Sequence, residues 1–272
     1  MTITYDSKNH FKVIFSIHGT VWPNVLPLCV ANASLTGLIY CLDFYEIVDL
    51  TFDDDGHNIL ATMVAFLVVS RVSAAYNRFW EARTLLSKAL QQCRQLSMLV
   101  AAFSRNDKTV KAQEWRRLIC KRTIEMLQLS IQVLEDSEWT TELMHGPEDG
   151  KKPKWSKDPR KNPLTHAGQL HEAICLHEHY LQAPLIIHKE MKLHSFVASF
   201  SDYYTELAKF SATPYPFPTA QMTRIFLFVW MFSLPFALVH EVSEPYSIIS
   251  IVFFITYGFF GLEFVSIELD DP

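Results

Sequence analysis

"GHNILATMVAFLVVSRVSAAYNRFWEAR", from Gly56 to Arg83, is the stretch whose reading decides the fold. Its first part, Gly56–Ser70, holds no Asp, Glu, Lys or Arg, whereas Arg71–Arg83 holds three arginines and a glutamate. No Gly or Pro separates the two. A helix needs about 20 apolar residues to cross a hydrocarbon core, so the uncharged part is too short alone and must borrow from the charged one. One helix that runs from apolar surroundings into charged ones without a turn predicts a pore lining that continues into the water beyond the membrane.

Three further stretches read as spans. Val13–Leu42 carries no charged residue, with Pro23 and Pro27 falling near the start of its helix or kinking it. Ile225–Val239 is short and lies between Arg224 and His240, and Pro245–Leu262 is uncharged up to Glu263. The spans are placed at about 13–42, 57–77, 220–240 and 245–265, around a cytosolic helical region at about 78–218 within one domain, 1–272. Charge sets the orientation. The connection "DFYEIVDLTFDDDG" (Asp43–Gly56) has six acids and no base, and "HEVSEP" (His240–Pro245) has two acids and no base. Of 24 Lys and Arg, 22 fall between Arg71 and Arg224, and the others are Lys8 and Lys12. Lys and Arg stay on the cytoplasmic side, which puts both termini and the central segment inside, or on the equivalent inner side of an organelle membrane.

The composition agrees with a chain half in lipid and half in water: 272 residues, 49% hydrophobic, 20 Phe, mean hydropathy +0.10. No basic stripe interleaved with aromatics suggests nucleic acid. The five cysteines (29, 41, 93, 120, 175) have no CxxC or metal spacing and read as reduced packing residues. In the central segment Leu85, Leu86, Ala89, Leu90, Cys93 and Leu96 trace an amphipathic helix. "EWRRLICKRTIEMLQLSIQVL" (Glu114–Leu134) repeats the pattern, with Lys121 and Glu125 four apart. A Pro/Lys/Gly loop follows near 145–163, then helices near 164–182 and 185–211, the second stopped by "TPYPFP" (Thr213–Pro218).

Little of this carries enzyme chemistry. His177-Glu178-His179, with His166, His171, His188 and His194 nearby, lacks the HExxH spacing, and residues 177 and 179 point to different sides of a helix. A solvated face is expected there and no metal site is assigned. Asp53–Gly56 lacks the calcium-loop spacing, and eight glycines supply no phosphate loop. No nucleophile motif is present, and no cofactor is expected. Arg78 and Glu81 lie three apart on one helical face, beside Phe79 and Trp80.

These residues resemble the bestrophin family of anion channels, in its bacterial, plant and fungal branch. "RVSAAYNRFWEAR" is similar to the family's segment at the base of the second span, matching at Arg71, Tyr76, Arg78, Glu81 and Arg83. "TPYPFP" resembles its turn before the third span, "LPFAL" (Leu234–Leu238) its "LPFGL", and "IELDDP" (Ile267–Pro272) its acidic segment after the fourth. The resemblance implies an all-α homopentamer around one pore, with second-span helices lining a narrow neck above a cytosolic vestibule. The neck positions, counted back from Arg71 and Arg78, fall on Thr62, Phe66 and Ser70. Typical members are bulky and apolar at all three, and here only Phe66 is. A second aperture falls around Thr213 and Tyr215, and Arg71, Tyr76, Arg78, Glu81 and Arg83 form a packed network below the neck. Calcium gating in animal members uses acids beyond the fourth span that this sequence does not reach, so no calcium site is carried over. The implied partners are chloride and other monovalent anions, the lipid bilayer and further copies of the chain. Two other readings stay open: a secondary anion transporter, which would want interrupted helices around a midplane polar site, and a membrane-anchored helical scaffold.

The charge asymmetry makes a direct prediction. Cysteines introduced at Asp53 and Lys152 will be labelled from opposite faces of a sealed vesicle; labelling from one face would overturn the orientation.

Overall fold

The structure is a computed structural model and describes residues 19–45, 54–135, 162–213, 215–239 and 244–270. The Pro/Lys/Gly loop and most of both acidic connections lie outside these residues. Among the described residues there are eight helices and no strand. In chain order they are α1 (Trp22–Phe44), α2 (Asp54–Phe103), α3 (Val110–Glu135), α4 (Pro163–Cys175), α5 (His177–Tyr180), α6 (Ile187–Ala212), α7 (Phe217–Leu238) and α8 (Pro245–Asp270). Four of them, α1, α2, α7 and α8, are long and apolar enough to cross a membrane. The chain divides into two compact units, residues 1–79 with 215–272, and residues 80–214.

The quoted stretch lies entirely within α2, a helix of 50 residues. At about 1.5 Å per residue it is about 75 Å long, more than twice the ~30 Å hydrocarbon thickness. A helix of that length must leave the bilayer, which accounts for its change of composition. Residues 57–77 therefore form only the upper part of an unbroken element.

In the first unit α1, α2, α7 and α8 bury a shared apolar core that includes Val25, Cys29, Val64, Val68, Leu227, Met231, Ile248 and Val252. Pro23 occupies the first turn of α1, where its missing N–H costs nothing, and Pro27 lies inside the helix. A buried polar pin ties three spans together. Asn32 Nδ2 on α1 donates to Met231 O on α7 (3.2 Å) and to Thr256 Oγ1 on α8 (2.9 Å). Thr256 in turn donates to Val252 O at 2.6 Å. Trp22 stacks on Tyr257 with centroids 4.4 Å apart.

In the second unit α3 buries Ala112, Trp115, Ile119, Thr123, Met126, Ser130 and Val133, a stripe at steps of three and four. It packs with the lower part of α2, which turns Leu85, Ala89, Cys93 and Leu96 inward and leaves Leu86 exposed. The α2–α3 turn is closed by side chains. Thr109 Oγ1 caps α3 by accepting from Ala112 N (3.2 Å), and Arg116 Nη1 donates to Ser104 O (2.9 Å) and Asp107 O (3.2 Å). Asp107 accepts from Thr109 Oγ1 and from Thr109 N and Gln182 N, which together hold its carboxyl below the usual carboxylate range. Lys121 and Glu125 form the expected pair at 3.8 Å. Asn162 caps α4 through Leu164 N (2.9 Å), with Pro163 in the first helical turn. The helix expected over 164–182 breaks at Leu176 into α4 and the single turn α5. His177, expected on a solvated face, is instead 1% exposed.

Trp115 is fully buried on α3, and its Nε1 donates to Ala173 O on α4 at 2.9 Å. Trp115→Ala removes that bond and leaves a large void, and will cost about 3–5 kcal/mol. Trp115→Phe loses mainly the bond and will cost about 1–3 kcal/mol. Denaturant unfolding in detergent checks both.

Candidate functional site

The upper part of α2 has two opposite faces. Val64, Val68, Arg71 and Ala75 are buried within the first unit. At about 100° per residue, the direction opposite to them is occupied by Asn58, Thr62, Phe66, Ser70, Ser73 and Asn77, interspersed with Ile59, Met63 and Val69, all of which are exposed. Phe66 is 72% exposed, the most of any large apolar side chain described on this helix. Thr62 Oγ1 donates back to Asn58 O at 3.1 Å, and so remains on the helix surface. The outward faces of the other spans are dominated by large apolar groups, among them Leu26, Val30 and Leu38 on α1, Ile225, Phe228 and Val229 on α7, and Ile251 and Phe254 on α8. These are apolar, as lipid contact requires. The outward face of α2 is mixed: a line of polar residues runs along it, with Phe66 in that line and Ile59, Met63 and Val69 beside it.

What fixes this rotation is the charged group at Arg71, 3% exposed on the opposite face. Its Nη1 lies 3.1 Å from Glu263 Oε1, its Nη2 3.6 Å from Asp270 Oδ2, and its Nε donates to Ser266 Oγ at 3.0 Å. Nη1 also reaches Ala220 O on α7 at 3.4 Å. Glu263, Ser266 and Asp270 share a face of α8 at spacings of three and four. Arg224 on α7 donates from Nε to the same Glu263 Oε1 at 2.9 Å. The ring of Tyr215, just before α7, lies under the Arg71 guanidinium at 5.6 Å. Two cations thus face two carboxylates. Paired burial of this kind is tolerated because each charge meets its opposite and Nε and Nη1 of Arg71 are bonded, although Glu263 Oε2 and Asp270 Oδ1 have no hydrogen bond among the described residues.

Arg71 is therefore the member of the expected network that the structure places in a buried cluster. Arg78 is half-buried, and Tyr76, Glu81 and Arg83 are exposed. Thr213 is exposed at the end of α6 and Tyr215 is half-buried. The sequence reading did not find Ser266 or Asp270 as partners of Arg71, nor Arg224 as the second cation on Glu263, and it took Glu263 only as the end of a span. The available signal was that Arg224 and Glu263 flank the third and fourth spans, where a lone charge could not be left unpaired.

A second cluster lies in the other unit. His171 and Cys175 on α4 meet Glu190 and His194 on α6. The two histidines stack, with Nδ1 atoms 2.7 Å apart. Cys175 Sγ is 3.7 Å from His194 Nε2. Partial burial, with His194 beside it, lowers the His171 pKa, and desolvation together with the Glu190 carboxylate raises that of the Cys175 thiol.

An all-α membrane unit of four spans, joined through one long helix to a helical unit, defines a class of membrane protein. The family model for bacterial and fungal bestrophins matches residues 1–272, and the chain belongs to that family. It is 22% identical over 278 residues to a voltage-dependent anion channel-forming protein of Nostoc sp., covering 99% of this chain and 86% of that one. Two single-substitution crystal structures of a bestrophin homologue from Klebsiella pneumoniae share its fold. Each has a TM-score of 0.72, at 18% and 19% identity, covering 91% of this chain and 89% or 90% of the other.

Arg71→Met strands Glu263 and Asp270 with fewer partners and will destabilise the protein by about 3–5 kcal/mol. Arg71→Lys will recover only part of this, because an ammonium cannot reach Glu263, Asp270, Ser266 and Ala220 together. Thermal unfolding in detergent distinguishes the two.

Proposed function

We propose that the chain is a passive anion channel, a homopentamer in which the outward stripe of α2 lines the pore. The observation that carries this reading is the line of exposed polar side chains along that face, which no other described span carries at that length. Asn58, Thr62, Ser70, Ser73 and Asn77 facing lipid would be disfavoured at every level, whereas facing water they are at home. Membership of the bestrophin family and the likeness to an anion channel-forming protein support the same reading. Chloride and other monovalent anions are the permeant species, and both termini lie on the side of the basic central segment.

Thr62, Phe66 and Ser70 form the neck, with Phe66 its single apolar barrier. An aromatic ring turned edge-on presents the positive rim of its quadrupole to the lumen. An apolar constriction replaces hydration water poorly, so weakly hydrated anions pass more readily. A fixed cation is not needed, which suits the commitment of Arg71 to Glu263 and Asp270 on the far face. Below the neck, Arg71, Tyr76, Arg78, Glu81 and Arg83 support the helix as it leaves the membrane. The second aperture is assigned to the segment around Thr213 and Tyr215. A coupled transporter would want broken helices at a midplane site, and α1 and α7 run unbroken through Pro27 and Pro235. A scaffold that uses its spans only as anchors gives no reason for that line of polar residues.

Purified protein in liposomes will pass anions far better than sodium or potassium, and reversal potentials in asymmetric salt will follow the anion. Phe66→Ala, shown still pentameric by mass in detergent, will raise conductance and loosen selectivity among anions. Ser70→Phe will add a second barrier and lower conductance, and Thr62→Ala will matter least. Unchanged conductance in Phe66→Ala would make Phe66 a packing residue, and cation-following potentials would end the anion reading.

A further inference from the structure

We propose that Cys175, Glu190 and His194 form a binding site for a thiophilic divalent cation, Zn²⁺ foremost, oriented by His171 and His177. One ligand atom from each of Cys175, Glu190 and His194 lies within 4.8 Å of the other two. The Sγ to Nε2 distance is 3.7 Å, and so is that from Nε2 to Oε1. A tetrahedral zinc with bonds of about 2.0–2.3 Å sets its ligand atoms about 3.4–3.6 Å apart. The two distances from Nε2 are therefore within a few tenths of an ångström of coordination geometry, and the Cys175–Glu190 separation, below 4.8 Å, must shorten for a bound ion.

The surrounding groups are those a metal site uses. His194 would bind through Nε2 and carry its proton on Nδ1, which faces His171 Nδ1 at 2.7 Å. With His194 as the donor in that contact its Nε2 is free to bind, the arrangement typical of a zinc histidine. The second oxygen of Glu190 has its own partner. His177 is buried, its Nδ1 accepts from Leu185 N (3.4 Å), and its Nε2 lies 3.4 Å from Glu190 Oε2. Nε2 has no hydrogen bond among the described residues. A cation on Oε1 would fix the carboxylate, leaving Oε2 to meet that N–H. The residues come from each helix four apart: the orienting His171 and the ligand Cys175 on α4, and the ligands Glu190 and His194 on α6. A bound ion would thus clamp the end of α4 to the start of α6. Three protein ligands leave a fourth position for water, and Cys175 is exposed. The site is therefore exchangeable, unlike the closed four-ligand sites that hold zinc permanently.

The test uses tag-free full-length protein in detergent, stripped with a chelator and titrated with Co²⁺. One Co²⁺ per chain should give tetrahedral ligand-field bands and a thiolate charge-transfer band, and Zn²⁺ should displace it, as the stability order of divalent ions requires. Cys175→Ser should abolish the charge-transfer band, while Cys120→Ser leaves it intact. Glu190→Gln and His194→Ala should weaken Co²⁺ at least about tenfold, and His177→Gln about 10–100-fold. Zn²⁺ should also slow alkylation of Cys175, followed by mass spectrometry, and the chelator should restore it. Co²⁺ that stays six-coordinate, a spectrum unchanged in Cys175→Ser, or alkylation indifferent to Zn²⁺ would overturn the proposal. None of these readouts involves ion flux, so the outcome is independent of the channel reading.

Discussion

The buried pairing of Arg71 with Glu263 is the constraint from which the membrane unit takes its form. A guanidinium with 3% exposure near the end of a span has few acceptable environments. Here it is met by two carboxylates, a hydroxyl and a carbonyl drawn from α7 and α8. Because a helix is rigid on the scale of two turns, directing Arg71 toward α8 also directs Phe66 and its hydroxyl-bearing neighbours away from the packed core. The same contact that holds the spans together thus determines which face of α2 is left for water or for another copy of the chain.

This coupling bears on how ions are selected. Arg71 is the first cation after Ser70 in sequence, and an electrostatic account of anion preference would turn to it. Its charge is instead offset by Glu263 and shared with Asp270, while Glu263 also holds Arg224 at 2.9 Å. On our reading the preference arises from dehydration at a single aromatic ring. On the same reading, the hydroxyl and amide side chains above and below that ring would keep water in place. A neck with one apolar layer has a short dewetted length, and its barrier should depend on ion hydration more than on ion charge density.

Much of this was legible in the sequence, because spans and amphipathic helices are written in hydrophobic periodicity. The uncharged runs and the steps of three and four in Leu85, Ala89, Cys93 and Leu96 correspond to elements of the structure. So does the Lys121–Glu125 pair. Contacts between distant positions were not legible. Ser266 lies 195 residues from Arg71, and nothing local to either one announces the other. The break at Leu176 was also missed, since one αR residue ends α4 without a Gly or Pro to mark it. The Cys175 cluster escaped for a different reason. A spacing test on His177 and His179 asks whether one helix can present two ligands, whereas here two helices each contribute a pair four residues apart. His177, read as solvated, is buried because the single turn α5 folds it toward Glu190.

The central claim is that the outward stripe of α2 faces an aqueous pathway. Cysteine scanning from residue 58 to 77, on a background lacking the native cysteines, tests it most directly. Each variant is assembled in liposomes and exposed to a charged, membrane-impermeant thiol reagent while anion flux is followed. The account predicts modification and block at 62, 70, 73 and 77, recurring at helical spacing, with protection at 64, 68 and 75. Reactivity centred on the Val64–Val68 face, or a stripe at 62–77 that remains unmodified while the protein conducts, would contradict it.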